Sequence, residues 1–134
     1  MPTPVVRFRV DFAQGSYVGP GKIDLLEAIR DSGSLSQAAR NLRMSYRRAW
    51  LLLESLKQSF REPVTVASTG GKGGGGVQLT EFGQTLITSY RSLEKEVAKL
   101  AVRHLHAVIP AVVRHAAADA KSPRRAIVHR RAAH

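Results

Sequence analysis

The spacing of apolar residues changes several times along this chain, and each change marks a boundary between elements. Val6, Phe8, Val10 and Phe12 alternate with Arg7, Arg9 and Asp11. That period of two predicts a strand with one buried face, followed by a turn-rich connection over 14–21. Ile23, Leu26 and Ile29, widened by Leu25 and Ala28, then recur at helical spacing. They predict a helix over 22–32 that stops at Gly33. Ser34-Leu35-Ser36-Gln37 reads as a capping box, a hydroxyl at the cap with glutamine three residues on. It opens a short helix whose inward positions are Leu35, Ala38, Ala39 and Leu42. After a tight connection over 41–44, Ser45 caps a third helix that runs to about Phe60. Its inner stripe is Ala49, Leu52, Leu53, Leu56 and Phe60.

Period two returns briefly at Val64-Thr65-Val66 and Val77-Gln78-Leu79-Thr80, on either side of a glycine run. Strand, glycine loop, strand predicts a β-hairpin with a long tip. Thr80 then caps a long helix carrying Phe82, Leu86, Tyr90, Leu93, Val97 and Leu100, nearly a heptad stripe. Beyond about Leu105 the pattern fails, and Ala, Arg and His take over with Pro110 and Pro123 as breakers. The expected organisation is one folded domain over 1–105 and a basic, disordered tail over 106–134.

Helix lengths and order carry the functional reading. Two short helices joined by a tight turn, the second with cations at its start, form the helix-turn-helix pattern. With Ala49 set toward the core, Leu53, Leu56 and Phe60 lie within about 40° of it at 100° per residue. Arg47 points to the opposite side, Arg48 lies on one flank, and Tyr46 and Trp50 lie on the other. Ser45, Tyr46, Arg47 and Arg48 are therefore the candidates to enter a DNA major groove. Arg47 is the best placed for guanine O6 and N7, Arg48 for a phosphate, and Ser45 for a cap that doubles as a donor near one. Ser34, Ser36 and Gln37 on the first short helix face the DNA backbone. Trp50, nearer the core direction, is expected to pack.

The hairpin extends this to a winged helix. Six of the eleven glycines lie in Thr69-Gly70-Gly71-Lys72-Gly73-Gly74-Gly75-Gly76. A phosphate-binding P-loop would need Ser or Thr after the lysine and a helix straight after; here Gly73 and a strand follow. Thr69, Gly70, Gly71, Lys72, Gly73 and Gly74 are instead candidates to lie along the DNA backbone, with bare N–H groups and one cation facing phosphates. The fold class is mainly α with a small β-hairpin, a winged helix-turn-helix with a long C-terminal helix. Phe82, Leu86, Tyr90, Leu93, Val97 and Leu100 are the expected interface of a homodimer; the other reading is a helix folded back on its own domain.

Composition agrees with an anionic partner. The 134 residues carry a net charge of +11, and seven of the Lys and Arg lie after Val102 against one acid. Double-stranded DNA is the expected partner. A second reading lets the tail supply sequence-blind affinity in an architectural protein. A membrane partner is not expected, because the tail lacks a large-residue amphipathic pattern. There is no cysteine, hence no disulfide framework or thiol nucleophile. No apolar run nears the ~18 residues of a membrane span, and no signal peptide is read, so a cytoplasmic location is expected. All five histidines lie in the last third, where no cysteine or spaced acid completes a metal site. No catalytic set is found, and no enzyme activity is expected.

Gly33-Ser34-Leu35-Ser36-Gln37-Ala38-Ala39, Met44-Ser45-Tyr46-Arg47-Arg48-Ala49-Trp50, the wing run from Ala67 to Gly76 and Leu79-Thr80-Glu81-Phe82-Gly83 together resemble the DNA-binding domain of ModE-type molybdate-responsive regulators. The frame is similar, more weakly, to LysR-type regulators. The resemblance covers about residues 5–100. It implies a dimeric winged-helix transcription regulator with DNA contacts at 45–48 and 69–76. Regulators of that type usually carry C-terminal molybdate-binding domains, which these 134 residues are too few to hold. No cofactor is expected in this chain, and the resemblance does not carry molybdate sensing over to it.

Overall fold

A computed structural model describes residues 3–71 and 74–113. The elements run β1 (Val10–Ala13), β2 (Ser16–Val18), α1 (Pro20–Ser32), α2 (Leu35–Asn41), α3 (Tyr46–Ser59), β3 (Thr65–Gly71), β4 (Gly74–Leu79) and α4 (Glu81–His104), with a 3₁₀ turn at Ile109–Ala111. This is a winged helix-turn-helix followed by a long helix.

The central piece is α1. Pro20 stands in its first turn, where a missing N–H costs nothing. Ile23, Leu25, Leu26 and Ile29 are fully buried, because α2, α3, α4 and both hairpins all lean on this one helix. Gly33 ends it in the left-handed region (φ 72°), its N–H donating to Ile29 O at 2.8 Å. A side chain would be strained there. The Gly33 carbonyl then accepts from Val77 N at 3.0 Å, so the α1–α2 corner holds the wing. Gly76 leaves room for that approach, since a Cβ there would stand 2.9 Å from Gly33 O.

The ends of α2, α3 and α4 are capped by Ser34, Ser45 and Thr80, which accept from Gln37 N, Arg48 N and Gly83 N at 3.0 Å each. The capping box at Ser34 is only half made. Ser32 Oγ, not Gln37, accepts from Ser34 N, at 3.3 Å.

Three expectations need correction. The alternation at the N-terminus predicts a strand from Val6, but pairing starts at Val10, against β2 within the segment read as a plain connection. The register slips between Asp11 and Ala13, and this irregularity turns Phe12 out to solvent; its ring meets the edge of Phe60 at 5.9 Å. In the wing the glycines do not form one long loop. Ser68 pairs with Gly76 and Gly71 with Gly74, because a ladder needs only backbone groups. Residues 72 and 73, between the strands, lie outside the described residues.

The third correction concerns the stripe on α4. Phe82 and Leu86 pack on the domain's own core, and Tyr90 is 3 % exposed. Tyr90 Oη donates to Phe8 O at 2.6 Å, and its ring lies 5.2 Å from that of Phe8. The extended N-terminal segment therefore covers Tyr90, one of the positions assigned to a partner copy. Leu93 and Leu100 stay exposed. The tail expected from residue 106 is turned over 106–111 with Ile109 buried; the part from 114 on lies outside the described residues.

A partly buried cluster joins α1 to α4. Arg91 donates to Glu27 at 2.8 and 2.9 Å, to Asp24 at 2.7 Å and to Glu94 at 2.8 Å. The Arg91 hydrogen bonds hold the Glu27 carboxyl below its ordinary range, and Arg91 itself is held more firmly protonated than usual.

Candidate nucleic-acid interface

The surface formed by α2, the turn after it and α3 contains no acid between Ser32 and Leu53, but four arginines: Arg40, Arg43, Arg47 and Arg48. Ser45, Tyr46, Arg47 and Arg48 are all exposed on the first turn of α3. Cations at a helix N-terminus face its positive dipole end, which disfavours them by roughly 0.3–1 kcal/mol each at an exposed site. The same end, with its free N–H groups, favours an anion. The first turn of α3 has no acid to balance it.

The residues assigned to α2 behave differently from one another. Ser34 is engaged as a cap. Ser36 Oγ accepts from Arg40 Nη1 at 3.1 Å, and Gln37 Oε1 accepts from Arg40 Nη2 at 2.8 Å. Gln37 Nε2 donates on to Asn41 Oδ1 at 2.8 Å. Arg40, which the sequence reading did not single out, is thus fixed on the exposed face of α2 by the two residues that it did. Their i, i+3 and i, i+4 spacing was the available signal.

Trp50 overturns its expected role. It is 44 % exposed, and Tyr46, one turn earlier, is exposed as well. Both line an open groove between α2 and the wing, with Leu35 on one wall and Ala67 and Val77 on the other. The core stops short of them because α1 fills the space beneath Ala49 and Leu53, and among the described residues none buries that flank of α3. The aromatic pair therefore stands beside the arginines, on the side that faces the wing.

On the other flank, Tyr17, Leu51 and Ser55 adjoin Arg47 and Arg48. Behind them sits Lys22, 1 % exposed. Its Nζ donates to Tyr17 O at 3.0 Å and Ser55 Oγ at 2.8 Å, and lies 3.5 Å from the Tyr17 ring centroid. Arg9 also stacks on that ring, at 4.0 Å. Burial, then the Arg9 charge, pushes the Lys22 amine below its usual range. Lys22 ties α3 to β2 and adds a positive charge under the arginine face. The sequence placed Lys22 only as the start of a helix, with no signal that its amine is buried.

In the wing backbone Gly71 pairs with Gly74, the register is irregular over Thr69 and Gly70, and the hairpin is tied to the helix pair through Gly33 and Val77. Lys72 and Gly73 lie outside the described residues. Among the described residues, no group of three or more His, Cys, Asp or Glu is placed to hold a metal. No described helix is long and apolar enough to cross a membrane.

Comparison with known proteins covers this same region. The profile of the bacterial regulatory helix-turn-helix proteins of the lysR family matches residues 21–84. The molybdenum transport protein ModE of Azotobacter vinelandii is 37 % identical over 92 residues, covering 69 % of this chain and 34 % of its own. The molybdenum-pterin-binding protein MopB of Rhodobacter capsulatus is 42 % identical over 86 residues, 64 % of this chain and 32 % of its own. The DNA-binding transcriptional dual regulator ModE of Escherichia coli is 42 % identical over 77 residues, 58 % of this chain and 29 % of its own. The chain spans about a third of the length of these curated relatives.

Proposed function

We propose, starting from a chain that belongs over residues 21–84 to the lysR family of bacterial regulatory helix-turn-helix proteins, that it is a sequence-specific DNA-binding transcription regulator acting as a dimer. The first turn of α3 enters the major groove. Arg47 reaches a base edge, Arg48 and Ser45 a phosphate, and Tyr46 and Trp50 meet the apolar edges of bases, where thymine offers its methyl group. Arg40, held by Ser36 and Gln37, lies along the backbone, and the glycine wing with Lys72 follows it on the far side of the groove. The observation that carries this reading is a surface with four arginines and no acid between Ser32 and Leu53, centred on a capped helix whose first turn carries two exposed arginines.

Two of these relatives are named for molybdenum. What carries over to this chain is the kind of operator, one belonging to genes for molybdenum handling. No described residue is assigned to hold molybdate.

Selection of bound duplexes from a random DNA pool tests the proposal. It predicts a partly two-fold symmetric consensus, recovered equally with the whole chain and with a chain ended after Val113, which keeps buried Ile109 in place. Recovery of no consensus, with binding lost on that truncation, would instead make the protein a sequence-blind binder acting through its basic tail.

A further inference from the structure

The turn between α2 and α3 contains the single non-glycine residue with positive φ among the described residues, Arg43 at φ 59°. Three sets of backbone hydrogen bonds impose that conformation. Leu42 N donates to Ala38 O and Ala39 O at 3.1 and 3.2 Å, Arg43 N to Arg40 O at 3.0 Å, and Met44 N to Ala39 O at 3.0 Å. The chain must reverse here to bring α3 under α2, so the left-handed residue is required by the fold. An arginine is not. Glycine takes this conformation freely and asparagine nearly so, whereas a long side chain is strained in it.

Among the described residues no contact repays that strain. Arg43 is exposed, and among the described residues it forms no ion pair and no side-chain hydrogen bond, unlike Arg40 three residues earlier. Its position is informative. It stands two residues before Ser45, so its Cα lies within about 7.6 Å of the cap of α3 by chain length alone. It also lies within the arginine surface that has no acid between Ser32 and Leu53. Strained residues concentrate where a site needs a particular side chain.

We infer that Arg43 is a phosphate-gripping residue, held at the mouth of the groove by a turn that would be more stable with glycine, and that it sets the register in which Arg47 meets its base. The inference rests on the DNA-reading surface proposed above. It adds a contact outside the recognition helix and a defined trade of fold stability for affinity.

The test compares the full chain with Arg43→Gly, Arg43→Asn and Arg43→Lys, by urea denaturation and by titration of a selected duplex over a range of salt. Glycine is expected to raise the denaturation midpoint. Glycine and asparagine are each expected to weaken binding about fivefold near 0.15 M salt and to make the log–log salt slope shallower by about 0.9, the loss of one phosphate contact. Lysine is expected to stay within about twofold of wild type. Asparagine binding like wild type, with an unchanged salt slope, would overturn the inference and leave the DNA-reading surface standing. A lowered midpoint for Arg43→Gly would remove the strain on which the inference rests. Absence of salt-dependent binding by the unaltered chain would overturn both.

Discussion

Single atoms decide much of this fold. Gly83 is the clearest case. A Cβ there would collide with the carbonyl oxygen of Val64 and stand 2.8 Å from Leu79 Cδ1. The backbone carbonyl cannot swing aside, because it accepts from Thr80 N at 3.0 Å. Gly83→Ala is expected to lower the unfolding free energy by about 2–3 kcal/mol, measured by urea denaturation, as an overpacked site with no room to relax. Lys22 makes a second prediction of opposite character. Its amine is held below the usual lysine range, so over the alkaline approach to pH 10.5 the unfolded chain binds more protons than the folded one. Stability contributed by this group therefore rises with pH in that window. Lys22→Met, which has no proton to lose, is expected to lack that rise in a comparison of denaturation midpoints at pH 8 and pH 10. Equal rises in the two proteins would refute the assignment.

Between elements, the Arg91 cluster clasps α1 to α4, and its carboxylates give it a pH dependence. Glu27 is held below its ordinary value by Arg91. Its contribution is full above the unfolded carboxyl range and disappears as pH falls through the lower, folded value. Arg91→Met is expected to cost about 2 kcal/mol near neutrality, and to flatten the loss of stability between about pH 5 and pH 3. Much of this level was legible in the sequence. Ser34, Ser45, Thr80 and Gly33 announced their boundaries because caps and stops act locally through one hydroxyl or one left-handed residue. What the sequence concealed was tertiary. Phe12 was placed by a register slip, and Trp50 by where α1 runs out of reach. Tyr90 was placed by an N-terminal segment 82 residues away that accepts its hydroxyl proton. The arginines of the reading surface were legible one at a time. That Arg40 is fastened by Ser36 and Gln37 was signalled only by their spacing, and that Arg43 is strained required the backbone.

At the scale of the whole molecule, α4 serves two masters. Its first half closes the core through Phe82, Leu86, Ile87 and Tyr90. Its second half leaves Leu93 42 % and Leu100 41 % exposed, with Leu105 and Val108 beyond. A second copy of this chain is the proposed cover, and a dimer would set two reading helices on successive half-sites. Leu93→Asp with Leu100→Asp is expected to shift the chain to a monomer in sedimentation equilibrium, to leave monomer stability within about 0.5 kcal/mol of wild type, and to weaken binding to a two-half-site duplex. A variant that stays dimeric would place the interface elsewhere.

The central claim is that the first turn of α3 reads sequence. It is tested most directly by one ratio at fixed salt, the affinity for a selected duplex over that for a scrambled duplex of equal length, measured for the unaltered chain and for Arg47→Ala. A ratio of about 10³ or more is expected for the unaltered chain. Arg47→Ala is expected to lose roughly 1–3 kcal/mol on the selected duplex and much less on the scrambled one. A ratio near one for the unaltered chain, or an equal loss on both duplexes, would contradict the claim.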